Sequence, residues 1–200
     1  MIGERIGILE AMRSRRSVRE YQRKGVPLRR IFKILDAGRY APSGANQQPL
    51  RYIVVDSEEL KLRIRREAEK ADEKFHESAP GWLKRWFRDQ GITLEKRFLT
   101  EAPYLIVVAG FTEAPYWLES TWISIAYMIL AAQSEGLATL TYTPGSTSFL
   151  NDILDIPREY RPVAIIPVGY PSESQLMRKR PRKRLKEIAF HNKYGRSIIK

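Results

Sequence analysis

Two segments in the second half of the chain are too apolar to lie on a surface. Tyr104 to Ala109 is an unbroken apolar run that suits a central strand, and Trp117 to Glu135 is a long, largely apolar helix closed by Gly136. A helix apolar on most sides has to be buried, in the domain core or in a subunit interface, and one sequence does not separate the two. With 200 residues, 43% of them hydrophobic, the chain has enough apolar surface for a real core, and residues 1–200 are expected to form a single domain.

Around these segments the pattern alternates. An amphipathic helix is predicted over Glu4 to Met12, with Ile6, Leu9 and Met12 on one side. A second starts at Pro27, runs through Leu28, Ile31, Phe32 and Leu35, and stops before Pro42. Strand Arg51 to Val55 follows, and Ser57 caps a highly charged helix reaching about Phe75. Between Ser78 and Gly91, Pro80, Gly81 and Gly91 bracket Trp82, Trp86 and Phe87. This short aromatic segment reads either as a flap over a substrate pocket or as a loop packed on the core or a partner subunit. Strand Leu137 to Thr141, the turn Tyr142-Thr143-Pro144-Gly145, a short helix near Ser148 to Leu154 and strand Arg161 to Gly169 complete the body. Four apolar strands separated by helices, without repeats, give an α+β or α/β class.

Several chemistries are excluded. The chain has no cysteine and only two histidines, His76 and His191, so disulfides, thiolate metal sites and a cysteine nucleophile are absent and no metal site is expected. Glu4, Arg5 and Glu10 interrupt any signal-peptide core, and Ile123 to Ala132 is too short to span a bilayer, so a soluble, cytoplasmic protein is expected. The net charge of +12 fits a Lys-, Arg- and Glu-rich surface, an anionic ligand or nucleic acid. Nucleic acid is the least favoured, because the aromatics do not interleave with the basic run. No G-x-G-x-x-G or G-x-x-x-x-G-K-[ST] is present, so phosphate binding has to rest on side chains.

Those side chains are at hand. Arg15-Arg16-Ser17-Val18-Arg19 sets three guanidiniums around a serine, an inventory suited to a terminal phosphate and a polar ring edge. Ala41-Pro42-Ser43-Gly44-Ala45-Asn46-Gln47-Gln48-Pro49 is a stiffened turn whose Gly44 lets backbone approach a flat ligand while Asn46, Gln47 and Gln48 offer donors and acceptors. The densest charge run, Arg178-Lys179-Arg180-Pro181-Arg182-Lys183-Arg184, continues into Leu185, Ile188, Ala189 and Phe190, a helical turn expected to dock the tail and aim Arg182 or Arg184 at a fixed point.

Together these motifs resemble the nitroreductase family of FMN-dependent oxidoreductases. Ala102-Pro103-Tyr104, Gly136-Leu137-Ala138-Thr139, Arg161-Pro162-Val163, Val168-Gly169-Tyr170-Pro171 and Leu185-Lys186-Glu187-Ile188 extend the likeness in order and spacing. The resemblance implies an α+β fold with a mainly antiparallel sheet, forming an intertwined homodimer with FMN sites built by both subunits. Arg15, Arg16, Ser17 and Arg19 would hold the phosphate and pyrimidine edge, Pro42, Ser43, Gly44, Asn46 and Gln48 would come from the other subunit, and Arg182 and Arg184 match the C-terminal phosphate ligands. The turn Thr141-Tyr142-Thr143-Pro144-Gly145 matches the segment whose backbone faces the flavin, although it departs from the commoner Trp-Ile-Gly or Glu-Gly versions, and Leu50 replaces the usual aromatic after Pro49. The flavin, not a side chain, would carry the chemistry. The leading expectation is ping-pong transfer from NADH or NADPH to a nitroaromatic, quinone or similar small acceptor. Flavin breakdown or reductive dehalogenation is the alternative within the family, and a basic nucleic-acid-binding protein the one outside it.

Overall fold

A computed structural model describes residues 6–176 and 181–198. The predicted helix start at Glu4 and Arg5 and the tail residues Arg178, Lys179 and Arg180 lie outside them.

The central sheet has the order β1-β2-β4-β3, formed by β1 (Leu50–Val55), β2 (Tyr104–Phe111), β3 (Ala138–Thr139) and β4 (Tyr160–Gly169), and every pairing is antiparallel. The unbroken apolar run becomes β2, paired on both edges and covered on both faces. Leu105, Val107 and Ala109 point into one core, Ile106 and Val108 into the other, and all five are fully buried. Alternation of direction along the strand explains why both sets are apolar.

The first core lies under α3 (Glu58–Ser78), α5 (Phe98–Glu101) and α7 (Phe149–Ile153); the second lies under α2 (Leu28–Arg39) and α6 (Trp117–Ser134). The Ser57 hydroxyl accepts from Leu60 N at 3.3 Å, the cap expected for α3. Gly136 stops α6 at φ +69°, a left-handed position that favours glycine.

Within one chain, helix α6 packs Ser120, Thr121, Ser124, Ile125, Met128 and Ala132 against the molecule and leaves Leu118, Trp122, Ile123 and Tyr127 exposed. Three expectations are corrected. The first helix, α1 (Ile8–Ser14), buries only Ala11, and its predicted apolar side shows Leu9 and Met12 to the outside. The segment after α3 is not a loop but the helix α4 (Gly81–Asp89). Leu185 and Ile188, expected to dock the tail, are 64% and 55% exposed, and the turn at Leu185–Glu187 is only three residues long, too short to build an apolar stripe.

Strand β3 is shorter than the predicted Leu137 to Thr141 for a local reason. The register of Thr139 on Val168 resumes with Tyr142 on Ile165, where both backbone bonds form at 3.0 and 2.9 Å. Between them Pro167 has no N–H to give the ladder.

Candidate functional site

The arginine motif follows directly from the end of α1. Arg15 is the C-terminal cap of that helix, and Val18 N donates to Thr139 O at 3.0 Å, so residues 15–19 run along the edge that leads into the 141–145 turn. Arg16 turns back and donates to the carbonyls of Arg13 and Arg15 at 2.7 and 2.8 Å. Arg15 is half-buried, and its pKa is lowered first by that burial and then by the charges of Arg182 and Arg16. The charges acting most on Arg15 are therefore cations, the adjacent Arg16 and Arg182 from the far end of the chain. Such a cluster of positive charge fits an anion, and a phosphate has the oxygens to accept from several guanidiniums. Ser17 and Arg19 stand exposed on the same stretch, with Arg19 acting electrostatically on the Tyr21 phenol. Arg184 is exposed, at the start of the tail's short turn.

The 141–145 turn is held from behind. The buried Tyr142 hydroxyl donates to Asp72 Oδ2 at 2.9 Å, and Gly145 N donates to Asp72 Oδ1 at 2.8 Å. Lys96 Nζ pairs with Asp72 Oδ2 at 3.0 Å and also donates to the Thr93 carbonyl. Burial, then the Asp72 charge, pushes the Tyr142 phenol well above its usual range. Thr143 is exposed at the tip, and Pro144 is buried behind it. A Cβ on Gly145 would stand 2.6 Å from Ala71 O and 2.7 Å from Phe75 Cβ, so this close approach to α3 requires glycine.

Sequence reasoning missed Asp72 and Lys96: Asp72 fell within the highly charged helix, and Lys96 was not singled out. One signal was present: Ile64, Ala68 and Asp72 are spaced by four, and all three lie on the buried face of α3.

The Pro42 to Gln48 loop carries three non-glycine residues at positive φ, Ala45 at 47°, Asn46 at 54° and Gln48 at 49°. Left-handed backbone costs about 1–2 kcal/mol for such residues. The loop is braced by Gln48 N donating to Ser43 Oγ at 3.0 Å and Gly44 N to Ser120 Oγ at 3.4 Å, and a Cβ at Gly44 would strike the Tyr116 ring at 2.8 Å. Asn46 and Gln48 stay exposed above it.

These two groups of candidate residues lie at opposite ends of α6. The loop sits on Ser120 near its start, whereas Ser14, next to the arginines, accepts from Gln133 Nε2 near its end at 3.3 Å. At 1.5 Å per residue those anchor points are ~20 Å apart along the helix. One copy of the chain therefore does not bring all its candidate residues to one ligand.

Helix α4 projects beyond α3. Trp82 and Trp86 are 63% and 48% exposed, Phe87 stacks on His76 with centroids 4.2 Å apart, and Phe87 also meets Phe75, the neighbour of Gly145. A separate open cleft of about 500 Å³, lined by Phe32, Leu35, Arg39 and Tyr52 among others, contains none of the predicted site residues. Among the described residues, no helix is long and apolar enough to cross a membrane.

The sequence model of the Nitroreductase family matches residues 12–170. Over 166 residues the chain is 37% identical to the iodotyrosine deiodinase of Thermotoga neapolitana, covering 83% of this chain and 89% of that protein. It is 35% identical to the iodotyrosine deiodinase of Haliscomenobacter hydrossis, covering 88% and 85%. A crystal structure of oxidized iodotyrosine deiodinase bound to FMN and 3-iodo-L-tyrosine aligns with a TM-score of 0.84 at 36% identity, covering 89% of this chain and 96% of that one.

Proposed function

From the premise that the chain belongs to the nitroreductase family, we propose that it binds FMN and catalyses reductive dehalogenation of an iodotyrosine-like aromatic amino acid. The observation carrying this reading is the 37% identity, across 83% of the chain, to a deiodinase. It favours the dehalogenation expected as an alternative over transfer from NADH or NADPH to nitroaromatics or quinones.

FMN, when bound, supplies the two electrons. In net terms an aryl carbon–iodine bond gives way to a carbon–hydrogen bond, with uptake of two electrons and one proton and release of iodide. The chain's part is to bind and orient. Arg15, Arg16 and Arg182, with Arg184 alongside, hold the phosphate, and Ser17 lies at the same edge. Arg19 supplies positive charge near the polar ring edge, which favours the reduced, more negative form. The Thr141 to Gly145 turn borders the ring, and Trp82, Trp86 and Phe87 cover the acceptor.

The remaining contacts come from a second copy. Pairing two α6 helices antiparallel through Leu118, Trp122, Ile123 and Tyr127 brings the Pro42, Ser43, Gly44, Asn46 and Gln48 loop of one protomer to the arginines of the other. This removes the ~20 Å separation along the helix and covers the exposed apolar face in one arrangement.

The test is anaerobic. Protein reconstituted with FMN is incubated with 3-iodo-L-tyrosine and dithionite, and separately with NADH or NADPH and a nitroaromatic. Equal amounts of L-tyrosine and iodide are expected from the first. A yellow protein that leaves iodotyrosine intact while oxidising NADH or NADPH with the nitroaromatic would overturn the assignment.

A further inference from the structure

The buried pair Asp72 and Lys96 has no part in the binding scheme above, yet it touches the turn assigned to the flavin. We infer that Asp72 is a positioning residue: its carboxylate holds the Tyr142 to Gly145 turn at a set height beside the flavin, with Lys96 keeping that carboxylate oriented. The inference rests on the proposed FMN reading.

Both oxygens of Asp72 are in use, Oδ1 for Gly145 N at 2.8 Å and Oδ2 for the Tyr142 hydroxyl at 2.9 Å and Lys96 Nζ at 3.0 Å. One side chain thereby grips both ends of the turn. Tyr142 N is bound to Ile165 O, Gly145 N to Asp72, and Pro144 has no N–H. The backbone donor left between the two grips is Thr143 N–H, for which the described hydrogen bonds give no acceptor. The turn also has no room to settle toward α3, given what a Cβ on Gly145 would meet there.

Stability alone does not account for the pair. Asp72 is 7% exposed and Lys96 5%, and a buried ion pair is seldom better for stability than an apolar pair of similar volume. What it supplies is direction, because a carboxylate has two acceptor positions at fixed geometry and an apolar contact has none.

The test uses Asp72→Asn, Tyr142→Phe and the double variant, each loaded with FMN. Lys61→Met serves as a control, since Lys61, on α3, is another buried lysine and donates to Ala102 O at 3.0 Å. Asparagine cannot accept from both Gly145 N–H and the tyrosine hydroxyl without turning its amide hydrogens on one of them. Asp72→Asn is therefore expected to speed amide exchange at Gly145 in the unliganded protein at least tenfold. In the loaded protein it should shift the flavin's midpoint potential and visible spectrum and slow turnover at least tenfold, with the FMN Kd within threefold of wild type. Tyr142→Phe should move the same readouts less, and the double variant no further than Asp72→Asn. Lys61→Met should lower thermal stability and leave potential and spectrum in place. A wild-type potential and spectrum in Asp72→Asn would overturn the inference, and if that variant does not fold, unchanged values in Tyr142→Phe decide against it. A colourless wild type that refuses FMN would instead sink the functional reading beneath it.

Discussion

Arg15 concentrates the chemistry of the site in one side chain. Burial and two neighbouring guanidiniums oppose its charge, so the unliganded protein carries a repulsion that an anion relieves. Arg15→Ala is predicted to raise the FMN Kd between tenfold and a hundredfold, since a hydrogen bond to a charged group contributes about 1.5–3 kcal/mol. The same variant should leave the melting temperature of the unliganded protein unchanged or higher, and a clear loss there would argue against a cation cradle. Tyr21 makes a different prediction. Burial pushes its phenol well above the usual range, with Arg19 opposing, and its hydroxyl donates to Val18 O and Pro167 O. The folded state therefore keeps its proton where the unfolded chain loses it. Stability is complete below about pH 10 and falls above it by about 1.4 kcal/mol per pH unit for this group. Urea midpoints at pH 8 and pH 11 should differ less in Tyr21→Phe than in wild type, after a loss of about 1 kcal/mol at pH 8 from the missing hydroxyl.

At the scale of elements, helices and strands were legible wherever the signal was local. Ser57, Pro27 and Gly136 marked helix ends through capping, fixed φ and left-handed backbone, and the Tyr104 to Ala109 run marked a doubly covered strand. The shortness of β3 was not legible, because it depends on Pro167 standing opposite it. Helix α4 escaped because Pro80, Gly81 and Gly91 read as breakers, whereas Pro80 and Gly81 open the helix and Gly91, at φ +62°, lies just past its end. Its exposed tryptophans carry a prediction. Trp86→Ala should lower stability by no more than about 0.5 kcal/mol, as expected for an exposed position. It should raise the KM for iodotyrosine several-fold, read from initial rates beside a thermal melt. A large drop in melting temperature with an unchanged KM would make α4 a structural prop.

For the whole molecule, the decisive feature is the separation of the two candidate motifs by the length of α6. Tyr127→Glu places a charge on the exposed apolar face of that helix. Sedimentation should then show monomers, and the FMN Kd should rise more than tenfold although every phosphate arginine is intact. A Tyr127→Glu monomer that binds FMN as well as wild type would mean that one chain suffices. By itself the sequence determined the order of helices and strands and the kinds of side chain able to meet a phosphate and a flat ring, because periodicity, caps and turn chemistry act over a few residues. Only the tertiary structure decided that Asp72 and Lys96 are buried together, that Arg182 returns to Arg15, and that half of an apolar helix is left uncovered. Each of these depends on which distant segment packs over a residue, and that is a property of the assembled layers and not of any short stretch of chain.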